Sequence, residues 1–284
     1  MAATRVRVVS WNIRAAIGPG PFPDRWWRRI DADRLRAIGV LLAGLEADVI
    51  ALQEVAVLSR DGELVDNVGD LARQLGMEVH YGAVRAFEVR EADALLGVGT
   101  FGNAILSRHA VSPVHCMALP AAPLDAFVEP AGTDHPAAGV RWRDAPEHLR
   151  EPRCLLLGEI GGLRVGTSHF SHIGSGERLL QAEATDAAFG DGPALLLGDL
   201  NAAIDAPELA PFASWTDAFV EPPGDPARVT TDDGFRIDQV LVRGASASPA
   251  RVLRKAGDLS DHYPVVAEVA GAQHRSHAPL RHSS

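Results

Sequence analysis

Eight side chains in this sequence combine a type and a setting that can do chemistry: Asn12, Glu54, His169, Asp199, Asn201, Asp238, Asp261 and His262. Each stands beside a short apolar run, in Ser10-Trp11-Asn12-Ile13, Leu52-Gln53-Glu54-Val55, Thr167-Ser168-His169, Leu197-Gly198-Asp199-Leu200-Asn201, Ile237-Asp238-Gln239-Val240 and Ser260-Asp261-His262. A carboxylate oxygen with a neutral amide oxygen nearby suits a hard divalent cation such as Mg²⁺, with Mn²⁺ as the alternative, because such ions take few protein ligands and keep several waters. An imidazole with a carboxylate partner suits proton transfer near neutral pH. Each residue also has a plainer reading. An isolated Asp-x-Asn is ordinarily an Asx turn, a His ending an apolar strand is ordinarily packed or capping, and Glu54 can simply close a strand at the surface. The repetition of one arrangement along a single chain argues for chemistry.

Such groups have to be delivered by strand ends. Arg5 to Asn12 reads as a strand with Val6, Val8, Ser10 and Asn12 on one face, and Ala47 to Leu52 as a second strand closing on Gln53-Glu54. Ala194 to Leu197 is a core strand, after which Gly198 lets the backbone turn or approach a neighbour closely, and Asp199 and Asn201 point to the same side. Asp238 shares the parity of Val240 and Val242, a buried face where an unpaired carboxylate is unfavourable, so a partner is implied. Helical spacing runs over Asp31 to Leu45, and further helices are expected at Asp70 to Leu75 and near Glu177 to Phe189. A short strand is expected at Met77 to Tyr81, a hairpin of Phe101 to Ser107 with Val111 to Leu119, and a second hairpin of Leu155 to Ile160 with Leu163 to Phe170 around Gly161-Gly162. Phe235 to Val242, Ala250 to Leu253 and Pro264 to Val269 supply the last strands, while Pro120 to Pro152 reads as a long loop.

At 284 residues the chain is expected to form one catalytic domain over residues 1–270, followed by a disordered tail, 271–284, that carries His274, His277 and His282 without core-forming neighbours. The net charge of −10 argues against a broad surface that tracks nucleic-acid phosphates, though not against a local basic cleft. Cys116 and Cys154 have no metal-ligand spacing and no disulfide framework, so reduced structural thiols are expected. No apolar run reaches the length of a membrane helix, and the start of the sequence lacks a signal core, so the expectation is a cytoplasmic protein unless export uses a signal outside this sequence.

In order along the chain, the motifs above, with Gly102-Asn103-Ala104-Ile105-Leu106-Ser107, Arg236-Ile237-Asp238-Gln239-Val240-Leu241-Val242 and Ser260-Asp261-His262-Tyr263-Pro264, resemble the endonuclease/exonuclease/phosphatase superfamily, the DNase I-like fold. The resemblance runs from about Val6 to Val269. It implies a four-layered α/β sandwich, two central mostly antiparallel sheets flanked by helices. It also implies a metal-dependent hydrolase that cleaves a phosphodiester or phosphate ester by in-line attack of water.

On that resemblance Glu54 is the principal metal ligand, with Asn12 and Asp261 in the same environment. His262 is a candidate base oriented by Asp238, Asp199 is the alternative base, and Asn201 and His169 stabilise the transition state at phosphate oxygens. Arg14 and Arg153 are further candidates for holding phosphate, since a guanidinium fork matches its oxygens. Phe235 stands where AP endonucleases carry a tryptophan, and their basic damage-reading loops are not found; nor are the phosphate-reading blocks of the inositol phosphatases. Specificity is therefore expected in Gly18 to Trp27, Arg85 to Gly97 and Pro120 to Pro152, with Trp26, Trp27 and Trp142 as candidates to stack on a base or cover an apolar group. The acidic balance favours a small or lipid-like phosphodiester, with DNA or RNA as the alternative partner. A non-catalytic binding module would lack at least one of Glu54, Asp199, Asp238 and His262, and none is missing.

Overall fold

The computed structural model describes residues 5–20, 25–129, 138–145, 150–221 and 225–271. The tail with its three histidines lies outside the described residues beyond 271, as do residues 21–24 and parts of the 120–152 segment. The first half of the chain forms β1 (Arg5–Asn12), α1 (Ala32–Ala43), β2 (Val49–Arg60), β3 (Glu63–Asp66), α2 (Asn67–Leu75), β4 (Glu78–Glu91) and β5 (Ala94–Ser107). After β6 (His115–Ala118) come β7 (Cys154–Ile160), β8 (Leu163–His169), α3 (Ser175–Phe189), β9 (Ala194–Asp199) and β10 (Thr216–Asp217). The chain closes with β11 (Asp238–Arg243), β12 (Ala245–Ala247), β13 (Arg251–Val252) and β14 (Val265–Gly271).

Two sheets stack face to face. One runs β12-β14-β1-β2-β5-β4 and the other β10-β11-β9-β8-β7-β6. Among the described residues only β1 with β2 and β8 with β9 pair parallel, each through a helical crossover; the other ladders are antiparallel. Strand parity sorts the side chains into layers. Val6 and Val8 of β1 meet Val165, Leu195, Leu197, Val240 and Val242 between the sheets. Val9 and Trp11, of the other parity, pack against Ile38 and Leu42 of α1 and Leu71 of α2. On the far side Leu196 and Leu241 pack against Ala182 and Phe189 of α3. The result is helices, sheet, sheet, helix: the four layers of the expected sandwich. No described helix is long and apolar enough to cross a membrane.

Three local expectations are corrected. β2 does not close on Glu54 but continues to Arg60, and its register against β5 moves from Leu52 opposite Ala104 to Val55 opposite Gly102, so one residue is inserted as a bulge. The short strand expected at Met77 to Tyr81 is the start of a 14-residue β4, part of a long β4–β5 hairpin that also takes in Arg85 to Gly97; β4 is an edge strand with both faces partly exposed, so its apolar alternation is diluted by charge. Phe101 to Ser107 does not hairpin with Val111 to Leu119. It is buried between β2 and β4, whereas β6 crosses to the second sheet and pairs with β7. Trp27 and Trp142 are buried, and Trp26 is partly buried against Phe87 and Phe101.

Gly198 is present for close approach. A Cβ there would fall 2.1 Å from the carbonyl oxygen of Ser168, its partner across the parallel β8–β9 pair. Neither strand can yield, because the residues flanking both carry the site. Gly198→Ala is expected to lose about 1–3 kcal/mol of stability, read as a lower urea midpoint at unchanged slope; an unshifted midpoint would show that the sheets part easily here.

Candidate active site

The inter-sheet parity that buries valines along the strands turns polar at one end. On β1 it runs Val6, Val8, Ser10, Asn12; on β9 it runs Leu195, Leu197, Asp199; on β11 it runs Val242, Val240, Asp238. Three neighbouring strands then set His169, Asp199 and Asp238 side by side, His169 paired with Asp199 across β8–β9 and Asp199 with Asp238 across β9–β11. Glu54 is of the wrong parity to join them in a regular strand. The bulge and a left-handed backbone (φ 52°) turn it from the helix side to the sheet interface. Asn201 is also left-handed (φ 50°), and non-glycine residues in that region concentrate at functional sites.

Asp199 is the hub. Its Oδ2 accepts from Asn12 Nδ2 at 3.1 Å and lies 3.4 Å from His169 Nε2 and 3.6 Å from His262 Nε2, while Oδ1 accepts from the Asn201 backbone N–H at 3.0 Å. That last bond is the Asx turn of the plainer reading, and it coexists with the site because each oxygen has its own task. Asn12 Nδ2 also donates to Glu54 Oε1 at 2.9 Å, and His169 Nδ1 lies 3.8 Å from the same oxygen. His262 Nδ1 is 2.8 Å from Asp238 Oδ2. The other oxygen of Asp238 is buried with no hydrogen-bond partner among the described residues.

Burial and mutual repulsion govern the charges. Burial pushes Glu54 up to about 7, and the neighbouring Asp261 carboxylate adds to the effect against the pull of Asn12 and His262. Burial likewise pushes Asp199 up to about 6, with His262 opposing it and Asp238 adding to it. Burial disfavours charge on His262 as well, but the Asp238 and Asp199 carboxylates outweigh it and carry that imidazole well above its ordinary value. His169 has no such partner balance: burial and the Arg153 charge hold it well below the usual range, so it offers a neutral N–H rather than a positive charge.

All eight residues read from the sequence converge on this end of the sandwich. One of them presents an atom other than the one expected. Asn12 faces Glu54 and Asp199 with its amide nitrogen, its oxygen being occupied by the Arg14 N–H at 3.0 Å. Asn201 Nδ2 donates to Phe170 O at 2.9 Å, which leaves the second hydrogen of that amide for a ligand. Arg14 is buried and committed, with Nε 3.2 Å from Asp261 and Nη1 donating to Gly18 O, so it fixes Asp261 rather than reaching outward. Arg153, also buried, lines a small cavity with Glu54, Asn103 and His169.

Several supports had no role assigned from sequence. Ser260 Oγ donates to Asn12 O at 2.8 Å and accepts from His262 N–H, and Trp11 Nε1 donates to His262 O, which ties the His262 turn to β1. Gln53 Nε2 donates to Thr167 Oγ1 at 2.9 Å and joins the two sheets beneath the site. Ser260, Trp11 and Gln53 sit inside the quoted motifs, so their position was readable and their bonds were not. Thr230 Oγ1, which accepts from the backbone N–H of Asp238, carries no sequence signal.

A four-layered sandwich with acids and imidazoles at one end of its two sheets defines a class of phosphoester-cleaving proteins. The chain belongs to the Endonuclease/Exonuclease/phosphatase family, whose family model matches residues 9–262. Its fold is similar to that of an endonuclease/exonuclease/phosphatase from Beutenbergia cavernae, at 20% identity and TM-score 0.64 over 94% of this chain and 72% of that one. It is similar to a mannosyl-6-phosphatase of Bacteroides thetaiotaomicron, at 18% identity and TM-score 0.62 over 93% and 99%. It is also similar to the human Nocturnin catalytic domain solved with bound sulfate, at 16% identity and TM-score 0.62 over 94% and 95%. No curated protein sequence matches the chain.

Proposed function

We propose that residues 1–270 form one catalytic unit that hydrolyses a phosphoester by in-line attack of water, with a small or lipid-like phosphodiester as the favoured substrate. The observation that carries this reading is Asp199 Oδ2, an acceptor buried among Asn12, His169 and His262 at the open end of two sheets. With a pKa of about 6 Asp199 is ionised at neutral pH and positioned to take a proton from water. His262, held charged by Asp238, then places a positive N–H where negative charge grows on phosphorus oxygens, and neutral His169 and the spare Asn201 amide hydrogen add donors.

The donor set fits a hard divalent cation. Burial first and the Asp261 carboxylate second push Glu54 up to about 7, so a cation placed between these two acids would relieve both the burial of charge and their repulsion. Glu54 and Asp261 would hold the ion, with Asn12 joining them on turning its amide oxygen inward. Asp199, Asp238 and His262 also bring ligand atoms within 4.8 Å of one another, but Asp238 would have to give up its bond to His262 to serve there. A bound Mg²⁺ or Mn²⁺ would neutralise phosphate charge and lower the pKa of water.

The pairing of arginines with carboxylates favours a small substrate over a nucleic acid. Arg25 and Arg28 face Glu91, Arg85 and Arg153 face Glu151, Arg90 faces Glu88 and Arg14 faces Asp261. Paired guanidiniums track phosphates poorly. The likeness to a mannosyl-6-phosphatase supports the same choice. The test is a screen, with Mg²⁺ or Mn²⁺ added, over bis-p-nitrophenyl phosphate, phospholipid head-group esters, sugar phosphates, short RNA and plasmid, across a salt series. A small ester should be cleaved with little salt dependence. Efficient plasmid cleavage that weakens with a log-log slope near −0.9 per neutralised phosphate, and disappears in Glu54→Ala, would make the chain a nuclease instead.

A further inference from the structure

Cys116 and Cys154, far apart in sequence, lie on neighbouring strands. Cys116 is exposed on the edge strand β6, and Cys154 is buried at the start of β7. Cys116 stands opposite Leu156 and Ala118 opposite Cys154, so the cysteines share one face of the ladder on a diagonal. Both sulfurs sit over the same point of the other sheet: a Cβ on Gly82 would fall 2.9 Å from Cys116 Sγ and 3.5 Å from Cys154 Sγ. The two thiols are neighbours on that face; Cys154 Sγ donates to Gly82 O at 3.8 Å and accepts from Asn103 Nδ2 at 3.7 Å.

We propose that Cys116 and Cys154 form a reversible oxidation site, an exposed attacking thiol and a buried resolving thiol that close an intramolecular disulfide by exchange with a low-molecular-weight disulfide. In the first step the Cys116 thiolate attacks one sulfur of the small disulfide and expels the other as a thiolate, which leaves a mixed disulfide on Cys116. In the second the Cys154 thiol gives up its proton and attacks Cys116 Sγ, expelling the second small thiol. The balance is two protein thiols and one small disulfide converted to one protein disulfide and two small thiols. The division of labour follows the surroundings: the neighbouring Cys154 thiol pulls Cys116 down to about 7, and the proximity of Cys116 together with burial pushes Cys154 up.

A diagonal pair needs some backbone movement to reach bonding geometry, and β6 is the element able to supply it. It has four residues, all exposed, and is paired on one side only. β7 is the rigid partner. The Cys154 carbonyl accepts from Ser168 Oγ at 2.9 Å and Asn103 Nδ2 at 3.3 Å, and the preceding residue, Arg153, lines the cavity beside Glu54 and His169. The bond would therefore fasten the sheet edge to the strand that carries Arg153.

The test uses the full chain with oxidised glutathione, followed by alkylation and intact-mass measurement. The wild type should lose both alkylatable thiols and the mass of two hydrogens while remaining monomeric in linkage, and dithiothreitol should restore both. Cys154→Ser should stop at one glutathionyl adduct, and the exposed-site variant Cys116→Ser should stay unmodified. A wild type that keeps both thiols, stops at a stable glutathionyl adduct, or links two chains through a disulfide would overturn the proposal.

Discussion

Asp238→Asn should lower kcat by about 10²–10⁴-fold and move the alkaline limb of the pH–rate profile to lower pH. The Asp238 carboxylate is the largest favourable influence on His262, which burial alone would leave uncharged. Replacing it with a neutral isostere keeps the shape and removes that influence, so His262 loses its proton at lower pH. If Asp199 takes the water proton and His262 must stay charged, the alkaline limb moves to lower pH, while the acid limb near the Asp199 value of about 6 falls only as far as the Asp238 charge had helped raise it. An alkaline limb that stays in place while the acid limb falls would make His262 the base and exchange the roles of the two residues. Stability carries an independent sign. A histidine whose folded pKa exceeds its ordinary 6.5 contributes stability that is complete below 6.5 and is lost as pH rises through the raised value. The urea midpoint of Asp238→Asn should fall furthest below wild type in acid, and the gap should narrow as the solution becomes alkaline.

Glu54→Gln should abolish both activity and the response to Mg²⁺, yet make the metal-free protein more stable above pH 7. Glu54 is raised from 4.5 to about 7, so the folded chain binds this proton more tightly than the unfolded chain does. That contribution is complete below 4.5 and lost by the time pH has passed 7, where the folded state holds a buried carboxylate against Asp261. Glutamine keeps the acceptor for Asn12 and removes the charge, for a gain of at most roughly 3 kcal/mol at 1.36 kcal/mol per pKa unit. Adding Mg²⁺ at about one hundred times its Kd should stabilise wild type by about 2.7 kcal/mol and leave the variant unmoved. Thermal denaturation with and without the ion reads both effects, and a variant that Mg²⁺ stabilises as it does wild type would remove Glu54 from the cation site.

How far the site was legible depends on whether parity alone could place a residue. Asn12, Asp199 and Asp238 continue the inward alternation of the valines and leucines before or after them, so their convergence could be read from spacing. Glu54 could not be placed that way, because its position depends on a bulge made by a glutamate with no glycine or proline to announce it. Long-range pairing escaped for a related reason. Phe101 to Ser107 looked like half of a local hairpin, and only the competition for a central place between β2 and β4 decides against it. The thiol pair depends on that same crossing of β6 to the second sheet, so its sequence separation concealed it. Charge states also needed the fold: His169 and His262 are alike as letters, and burial with the Arg153 charge on the one, against the hydrogen-bonded Asp238 carboxylate on the other, separates them.

β14 comes last among the strands yet lies in the interior of its sheet, with Val269 opposite Val6 of β1, and His262 arrives just before it. A chain emerging from the ribosome therefore carries Glu54, His169 and Asp199 long before it carries the imidazole that completes them. The turn from Ser260 to His262 is anchored on β1 through the Asn12 carbonyl and the Trp11 indole, beside which β14 then pairs. On the proposed reading, hydrolytic competence would appear in one late step of synthesis, and chains that stop before Ser260 would be inert.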